Sequence, residues 1–494
     1  MIIAHDLGTT GNKAGLYDDE LALVESTTEA YPADFGAGGR AEQDPDAWWG
    51  AVARSTHALL EAHPGASIDC VSFSGQMMGV VAVDSSGRSV RPAIIWADTR
   101  SGEQCDRLLD TIPMERGYDI TGHRLNPTYS LSKLMWLRDT EPDAFQRTAL
   151  SLQAKDYAVY RLTGVMATDP SDASSTNAFD QRAGTWSEDL LTAADLPREM
   201  WPEIVASTTV VGKVTSEAAD AAGLAQGTPV VIGGGDGPCA AAGAGVVSPA
   251  SGPYVYLGSS SWISFAADEP LHDVEMRTMT FNHVVPGRFV PTATMQAGGA
   301  SVEWAADVLL PGRSADRFDR LTSEAAAVQA ADEGLLFLPH ILGERSPYWN
   351  PKARGVFFGL AKHHGPGHLM RAVMEGVAMN LYTAIVAFRE MGRSIDAVDV
   401  IGGGGRSDVW MQILADVWGI PVTRRSLVEE ANGLGAALTG AVGIGLVESF
   451  DVAPDLSEIE VTVQPDDKRH ESYRRRHELF IDVYRRLEPL FDEL

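Results

Sequence analysis

Cysteine is scarce in this chain, and its spacing pairs nothing. Cys70, Cys105 and Cys239 are the three present, and no two form a CxxC arrangement. That excludes a disulfide scaffold and cysteine-built zinc or iron–sulfur sites, and it fits reduced thiols in a cytoplasmic protein. The adjacent His363 and His364 have no partner motif either. Lysine is almost as thin, supplying seven of 39 basic residues against 67 acidic ones, for a formal net charge of −28. Such a surface repels polyanions, and no basic stripe offsets it, so neither nucleic acid nor an anionic membrane is an expected partner. No apolar run reaches the ~18 residues of a membrane span. The first residues, MIIAHDLG, have no basic n-region and no cleavage site, unlike a signal peptide.

What is present is ample material for folding. A chain of 494 residues, 45% hydrophobic and 21% charged, can build two or three domains with full cores. Its most informative stretch is residues 230–245, VVIGGGDGPCAAAGAG. A buried strand (230–232) runs into glycines that let the backbone turn and a ligand come close, then into a small-residue helix. Asp236 stands on that turn, placed either to meet a small substrate or simply to cap the helix.

The N-terminus carries a second pattern. Residues 2–6 read as a strand ending in Asp6, residues 7–12 (LGTTGN) as a turn, and residues 13–17 and 21–30 as returning strands. Thr9, Thr10 and Gly11 offer hydroxyls and backbone N–H groups to phosphate oxygens, with Lys13 adding positive charge. Asp6 can hold Mg²⁺ through water. The pattern recurs at residues 254–266, where the turn is Gly258-Ser259-Ser260-Ser261. Two such hairpins suggest two similar domains facing one nucleotide. Between them, residues 44–60 read as a helix capped by Asp44, and residues 71–74, 80–83 and 93–98 as strands. Gln76, Asp98 and Arg100 fall at strand ends, where open α/β sheets bind ligands. Residues 167–180 (ATDPSDASSTNAFD) form a polar loop that either lines a site or is a solvated connection. Further on, a strand (398–401) leads into Gly402–Gly405 and a helix capped by Ser407, a place for adenosine or phosphate.

Five segments in order resemble the FGGY family of carbohydrate kinases, and within it the xylulokinases. They are DLGTTGNK (6–13), SGQMMG (74–79) with IIWADTR (94–100), GGGDG (233–237), LGSSSW (257–262) and GERSPYWNPKARGVFFGL (343–360). GGGGRSDVWMQILADVWGIPV (402–422) and EEANGLGAA (429–437) also fit. The resemblance implies an α/β fold of two similar actin/hexokinase/Hsp70-like (ribonuclease H-like) domains with the active site in the cleft between them. Residues 1–226 would form the sugar-binding domain with the first phosphate hairpin. Residues 227–494 would form the nucleotide-binding domain, with the catalytic Asp at its start. It further implies an ATP-dependent kinase with Mg²⁺, in which Asp236 is the general base and Asp6 the metal-associated carboxylate. Thr9, Thr10, Gly11, Lys13, Gly258 and Ser259 match phosphate contacts, and Gly299, Gly403, Gly404 and Ser407 match nucleotide-pocket positions. Gln76, Met77, Met78, Trp96 and Asp98 fall where the sugar is held, together with Asp236.

In one place the chain departs from that pattern. Xylulokinases usually read Gln-Met-His in the sugar loop, and this chain reads Gln76-Met77-Met78. A thioether is only a weak acceptor, and losing one hydrogen bond changes specificity more than chemistry. D-xylulose is therefore the first expected substrate. Ribulose, L-xylulose, gluconate and glycerol are alternatives, with a non-catalytic sugar or nucleotide sensor as a rival outside the enzymes. Both Asp6 and Asp236 are present, which disfavours the sensor. A homodimer is a possible assembly that the sequence does not select.

The acidic, lysine-poor composition resembles that of halophilic proteins. At molar salt the Debye length falls to ~3 Å and screens the self-repulsion of such a surface. On this reading the Tm rises as KCl is raised from dilute buffer into the molar range. A Tm independent of KCl excludes a halophilic adaptation.

Overall fold

The computed structural model describes residues 1–310, 312, 316–328, 331, 333–426 and 431–494. Two seven-stranded sheets carry the molecule. The first runs in the order Val210–Lys213, Pro229–Val231, Cys70–Gly75, Ile2–Leu7, Gly11–Tyr17, Leu23–Ala30, with Gly234–Gly235 also paired to Cys70–Gly75. The second runs Met279–Asn282, Phe289–Met295, Ser261–Ser264, Tyr254–Leu257, Val398–Ile401, Val422–Arg425, Ile459–Val463. Each sheet is built in the same way. A strand turns back on itself in an antiparallel hairpin and takes a parallel neighbour on its other side: Cys70–Gly75 in the first sheet, Val398–Ile401 in the second. The expected duplication of the hairpin is thus a duplication of topology.

The helix Pro45–Ala62 makes the first crossover. Its start follows the expected chemistry, with Asp44 accepting the N–H of Asp46 at 3.0 Å and Pro45 at the first helical position. Two expectations change. The strand expected over 93–98 is only Ala93–Ile94, because the buried Asp98 carboxylate takes the Ala41 N–H at 2.7 Å and turns the chain toward Arg100. The polar stretch 167–180 is no solvated connection. It folds into short strands and the helical turn Pro170–Ala173, and Asp169, Ser171, Asp172, Ser174 and Ser175 are all buried. Pairing of Pro229–Val231 and Gly234–Gly235 also carries the first sheet past the division expected after residue 226.

The 25-residue helix Pro366–Glu390 is long and apolar enough to cross a membrane by length and composition alone, yet 83% of its apolar window is buried inside the protein. It carries the buried Arg371–Glu375 pair (2.6 Å) and packs in the core of the second half. The C-terminal helix Asp467–Phe491 anchors there through Phe480, Tyr484 and Tyr473, whose hydroxyl donates to Glu375 at 2.6 Å.

Two small-residue helices, Asp236–Gly243 and Ala431–Gly443, pack together against the first sheet. Each places a glycine against the other's backbone. A Cβ on Gly435 would lie 1.9 Å from the Cys239 carbonyl oxygen, and one on Gly243 1.9 Å from that of Ala431. No rotamer change relieves a clash with backbone, so the helices have to separate. Gly435→Ala is expected to cost about 1–3 kcal/mol, the range for overpacking, read as a lower midpoint in urea unfolding. An unchanged midpoint would mean that the crossing is loose.

Candidate active site

Three strands converge on one edge. Ile2–Leu7 runs parallel to Cys70–Gly75 with Asp6 opposite Ser74, and Gly234–Gly235 runs parallel to Ser74 and Gly75. Parallel strands end on the same side, so Asp6 and Asp236, the residue after Gly235, meet there. The Ser74 hydroxyl donates to Asp6 Oδ1 at 2.8 Å, and Asn432 Nδ2 lies 3.3 Å from both Asp6 oxygens. Gly235, rather than Asp236, occupies the N-cap of the following helix. Asp236 Oδ1 accepts the Gly237 N–H at 2.8 Å. Its side chain opens onto a cavity. Its protein surroundings, and after them the charge of Asp6, push the carboxyl up to about 7.

That cavity, about 450 Å³, is walled by Thr9, Met77, Met78, Trp96, Asp236 and Ser259 among the expected residues. A second cavity of about 900 Å³ is lined by Gly258, Ser259, Gly299, Gly403, Gly404 and Ser407. Ser259 borders both, so the second hairpin turn contributes to the walls of the two cavities. Ser407 caps the helix Asp408–Trp418 by accepting the Trp410 N–H at 3.3 Å.

Other expected residues do not line either cavity. Thr10 and Gly11 shape the first hairpin, and Lys13 pairs in register with Asp6. Gln76 is buried, donating to Gln43 Oε1 at 2.8 Å and more weakly to the Gly8 carbonyl at 3.4 Å, which braces the hairpin from below. Asp98, 1% exposed, is held by the Ala41 N–H and by Arg100 Nε at 2.9 Å. Neither Gln76 nor Asp98 lines the 450 Å³ cavity.

Trp96 and Met78 are joined by residues to which the sequence assigned no role: Arg345, Met279, Phe281, Trp262, Ser175 and Lys133. Trp96 Nε1 donates to Thr9 Oγ1 at 2.9 Å, which ties the wall to the hairpin tip, and the Arg345 guanidinium sits 5.3 Å from the Trp96 ring centroid. Met279, Phe281 and Trp262 complete the apolar lining. Met78 has φ +66°, a left-handed conformation costing an unbranched residue about 1–2 kcal/mol. It is clamped on both sides: Ser175 Oγ accepts its N–H at 3.2 Å, and the Lys133 ammonium donates to its carbonyl at 2.9 Å. Lys133 also holds the carbonyls of Ile95 (2.8 Å) and Thr128 (2.5 Å), and burial brings its pKa down to about 7. Arg345 and Asn432 lie in segments that carry the family resemblance. Lys133 lies in the helix Ser130–Thr140, outside the segments that carry the resemblance, so nothing in the sequence singled it out. The His363–His364 pair does have a neighbour, Glu333, whose carboxylate is 3.2 Å from His363 Nε2. His364 Nδ1 accepts the Ala361 N–H at 3.0 Å, which leaves its proton on Nε2, so this is a hydrogen-bonded surface cluster.

Comparison with known proteins identifies the family of the chain. The FGGY family of carbohydrate kinases matches through its N-terminal domain over residues 1–243 and its C-terminal domain over residues 254–444. The chain is 36% identical to the xylulose kinase of Escherichia coli K12 over 495 aligned positions, covering 99% of this chain and 100% of that one. Among solved structures, a xylulose kinase from Rhodospirillum rubrum superposes with a TM-score of 0.91 at 30% identity, covering 99% of both chains. A gluconate kinase from Lactobacillus acidophilus superposes with a TM-score of 0.94 at 25% identity, covering 100% of this chain and 99% of that one. Two sheets of one topology, with Asp6 and Asp236 at adjoining strand ends and Asp236 on the wall of the 450 Å³ cavity, fit a sugar kinase of the actin/hexokinase type. The chain belongs to the FGGY family of carbohydrate kinases.

The pairing of Asp6 with Asp236 has a measurable consequence. Between the ordinary carboxylate range and about pH 7, folded Asp236 holds a proton that the unfolded chain has lost. Raising pH across that window therefore destabilises the fold through this group. Asp6→Asn removes the neighbouring charge but not the burial, so the Asp236 midpoint should fall only part of the way. Carboxyl ¹³C NMR of the ligand-free protein reads it; an unmoved midpoint would mean that Asp6 does not face Asp236.

Proposed function

We propose that this protein transfers the γ-phosphoryl group of ATP to the primary hydroxyl of a ketopentose, D-xylulose foremost, giving D-xylulose 5-phosphate. The observation that carries the reading is Asp236, a carboxyl pushed up to about 7 beside Asp6, on the wall of the 450 Å³ cavity that shares Ser259 with the 900 Å³ cavity. The 450 Å³ cavity suits a sugar, and the 900 Å³ cavity, rimmed by Gly403, Gly404 and the N-terminus of Asp408–Trp418, suits a nucleotide.

Asp236 accepts the proton of the attacking hydroxyl, a role for which a pKa near the working pH is best. Backbone N–H groups and hydroxyls of the two hairpin turns, Thr9 and Ser259 among them, hold the phosphate oxygens in line with that hydroxyl. Asp6 fits a cation site: two facing carboxylates repel, and Ser74 and Asn432 hold the Asp6 oxygens in place. Mg²⁺ held there together with ATP would neutralise phosphate charge. Trp96, Met77, Met78 and Phe281 cover the sugar's carbon skeleton and exclude the water that would otherwise hydrolyse ATP.

A sugar acid is the second reading. The Arg345 guanidinium faces this cavity, and the fold superposes closely on a gluconate kinase.

Asp236→Asn preserves shape but cannot take a proton. It should lose ~10²–10⁴-fold in kcat with nucleotide affinity little changed. The acid limb of the kcat/KM profile, expected near pH 7 in the wild type, should vanish from the residual activity. Near-full turnover in this variant would end the general-base assignment.

The sugar is tested by kcat/KM for D-xylulose, D-ribulose, glycerol and gluconate. Histidine tolerates positive φ better than methionine, so Met78→His should fold and sharpen the preference for D-xylulose about fivefold, near one hydrogen bond or ~1 kcal/mol. A wild type that ignores D-xylulose and takes gluconate would move the assignment to the sugar acid.

A further inference from the structure

Residues 169–176, Asp-Pro-Ser-Asp-Ala-Ser-Ser-Thr, form a buried polar turn that the mechanism above leaves without a task. Its anchor is Lys155, 0% exposed, whose ammonium lies 2.6 Å from Asp156, 3.0 Å from Asp169 and 3.1 Å from Asp172. Three of its serines share one polarity. Each donates its O–H inward: Ser171 to Asp169 Oδ2 (2.6 Å), Ser174 to the Ser171 carbonyl (2.7 Å) and Ser175 to the Asp172 carbonyl (2.7 Å). With the protons committed, the lone pairs face outward, and each accepts a backbone N–H from a different segment that contributes lining residues to the 450 Å³ cavity. Ser171 takes Gly235 (2.9 Å), Ser174 takes Asn282 (3.0 Å) and Ser175 takes Met78 (3.2 Å). Gly235 immediately precedes Asp236, Asn282 ends the strand bearing Met279 and Phe281, and Met78 is the left-handed residue of the sugar wall.

We propose that Ser171 and Ser175 are positioning residues of the phosphoryl-transfer site, Ser171 aiming Asp236 through Gly235 and Ser175 fixing the sugar wall through Met78. This rests on the kinase reading above. Because the two arms reach different parts of the site, they predict different kinetics. Ser171→Ala frees the peptide before the base, and a small misplacement there costs rate. It should lower kcat about tenfold or more with KM for sugar and ATP little changed. Ser175→Ala frees the strained Met78 and should raise KM for the sugar about fivefold or more, about the effect of one buried N–H left unpaired, with kcat little changed. Ser207→Ala is the control. It removes another donor to the same Asp169 oxygen (2.7 Å) without touching a cavity wall, and should leave both constants near wild type.

Both constants are read on whichever sugar the wild type phosphorylates best, with each Tm recorded. If Ser171→Ala does not fold, Ser175→Ala carries the test alone. Parallel changes of kcat and KM in both serine variants, or a lowered Tm with wild-type constants, overturn the proposal while leaving the kinase reading intact. A wild type that phosphorylates no sugar overturns both.

Discussion

Parallel pairing of Ile2–Leu7, Cys70–Gly75 and Gly234–Gly235 is the constraint on which the site depends. A parallel ladder fixes both the direction and the register of its strands, so it fixes which residues leave the sheet together. Here those are Asp6, beside Ser74, and Asp236, one residue beyond Gly235. Two carboxylates are thereby held close enough for one to raise the other's pKa, a costly arrangement that persists only where a stiff frame enforces it. The frame is stiff on both faces. The helix Pro45–Ala62 packs on one side, and the crossed helices Asp236–Gly243 and Ala431–Gly443 pack on the other.

Those crossed helices make packing and chemistry one problem. Their close approach rests on Gly243 and Gly435, and their first turns deliver Asp236 and Asn432 to the same carboxylate pair. Small residues there are not a neutral filling of the core, because helix separation at the crossing would shift both polar groups at the N-terminal ends. Strain follows the same logic at Met78, whose left-handed backbone survives because Ser175 and Lys133 hold its two peptide groups.

Much of this was legible in the sequence. Apolar runs and Gly-Thr or Gly-Ser turns marked the hairpins, and Asp44 and Ser407 marked helix starts that the structure repeats. Strand ends bearing Asp6 and Asp236 followed from those runs. Side-chain direction did not. Gln76 and Asp98 lie in the right loops but face inward, since a strand end offers its residues alternately to the site and to the packing beneath. Composition also misled over residues 167–180. A stretch of Ser, Asp and Thr looks solvated until Lys155, from the helix immediately before it, is folded back against it, a contact that the apolar and polar pattern of the stretch does not announce. Lys133 was hidden for the same reason: its three carbonyl partners come from separate loops.

Ser259 belongs to the walls of both cavities, and this gives the protein a thermodynamic property beyond its chemistry. A ligand that orders this turn from one side changes the surface met by a ligand on the other, so the two affinities are linked. Linkage is reciprocal: whatever factor the first occupant lends the second, the second returns to the first. Such a linkage would pass through a single turn of chain.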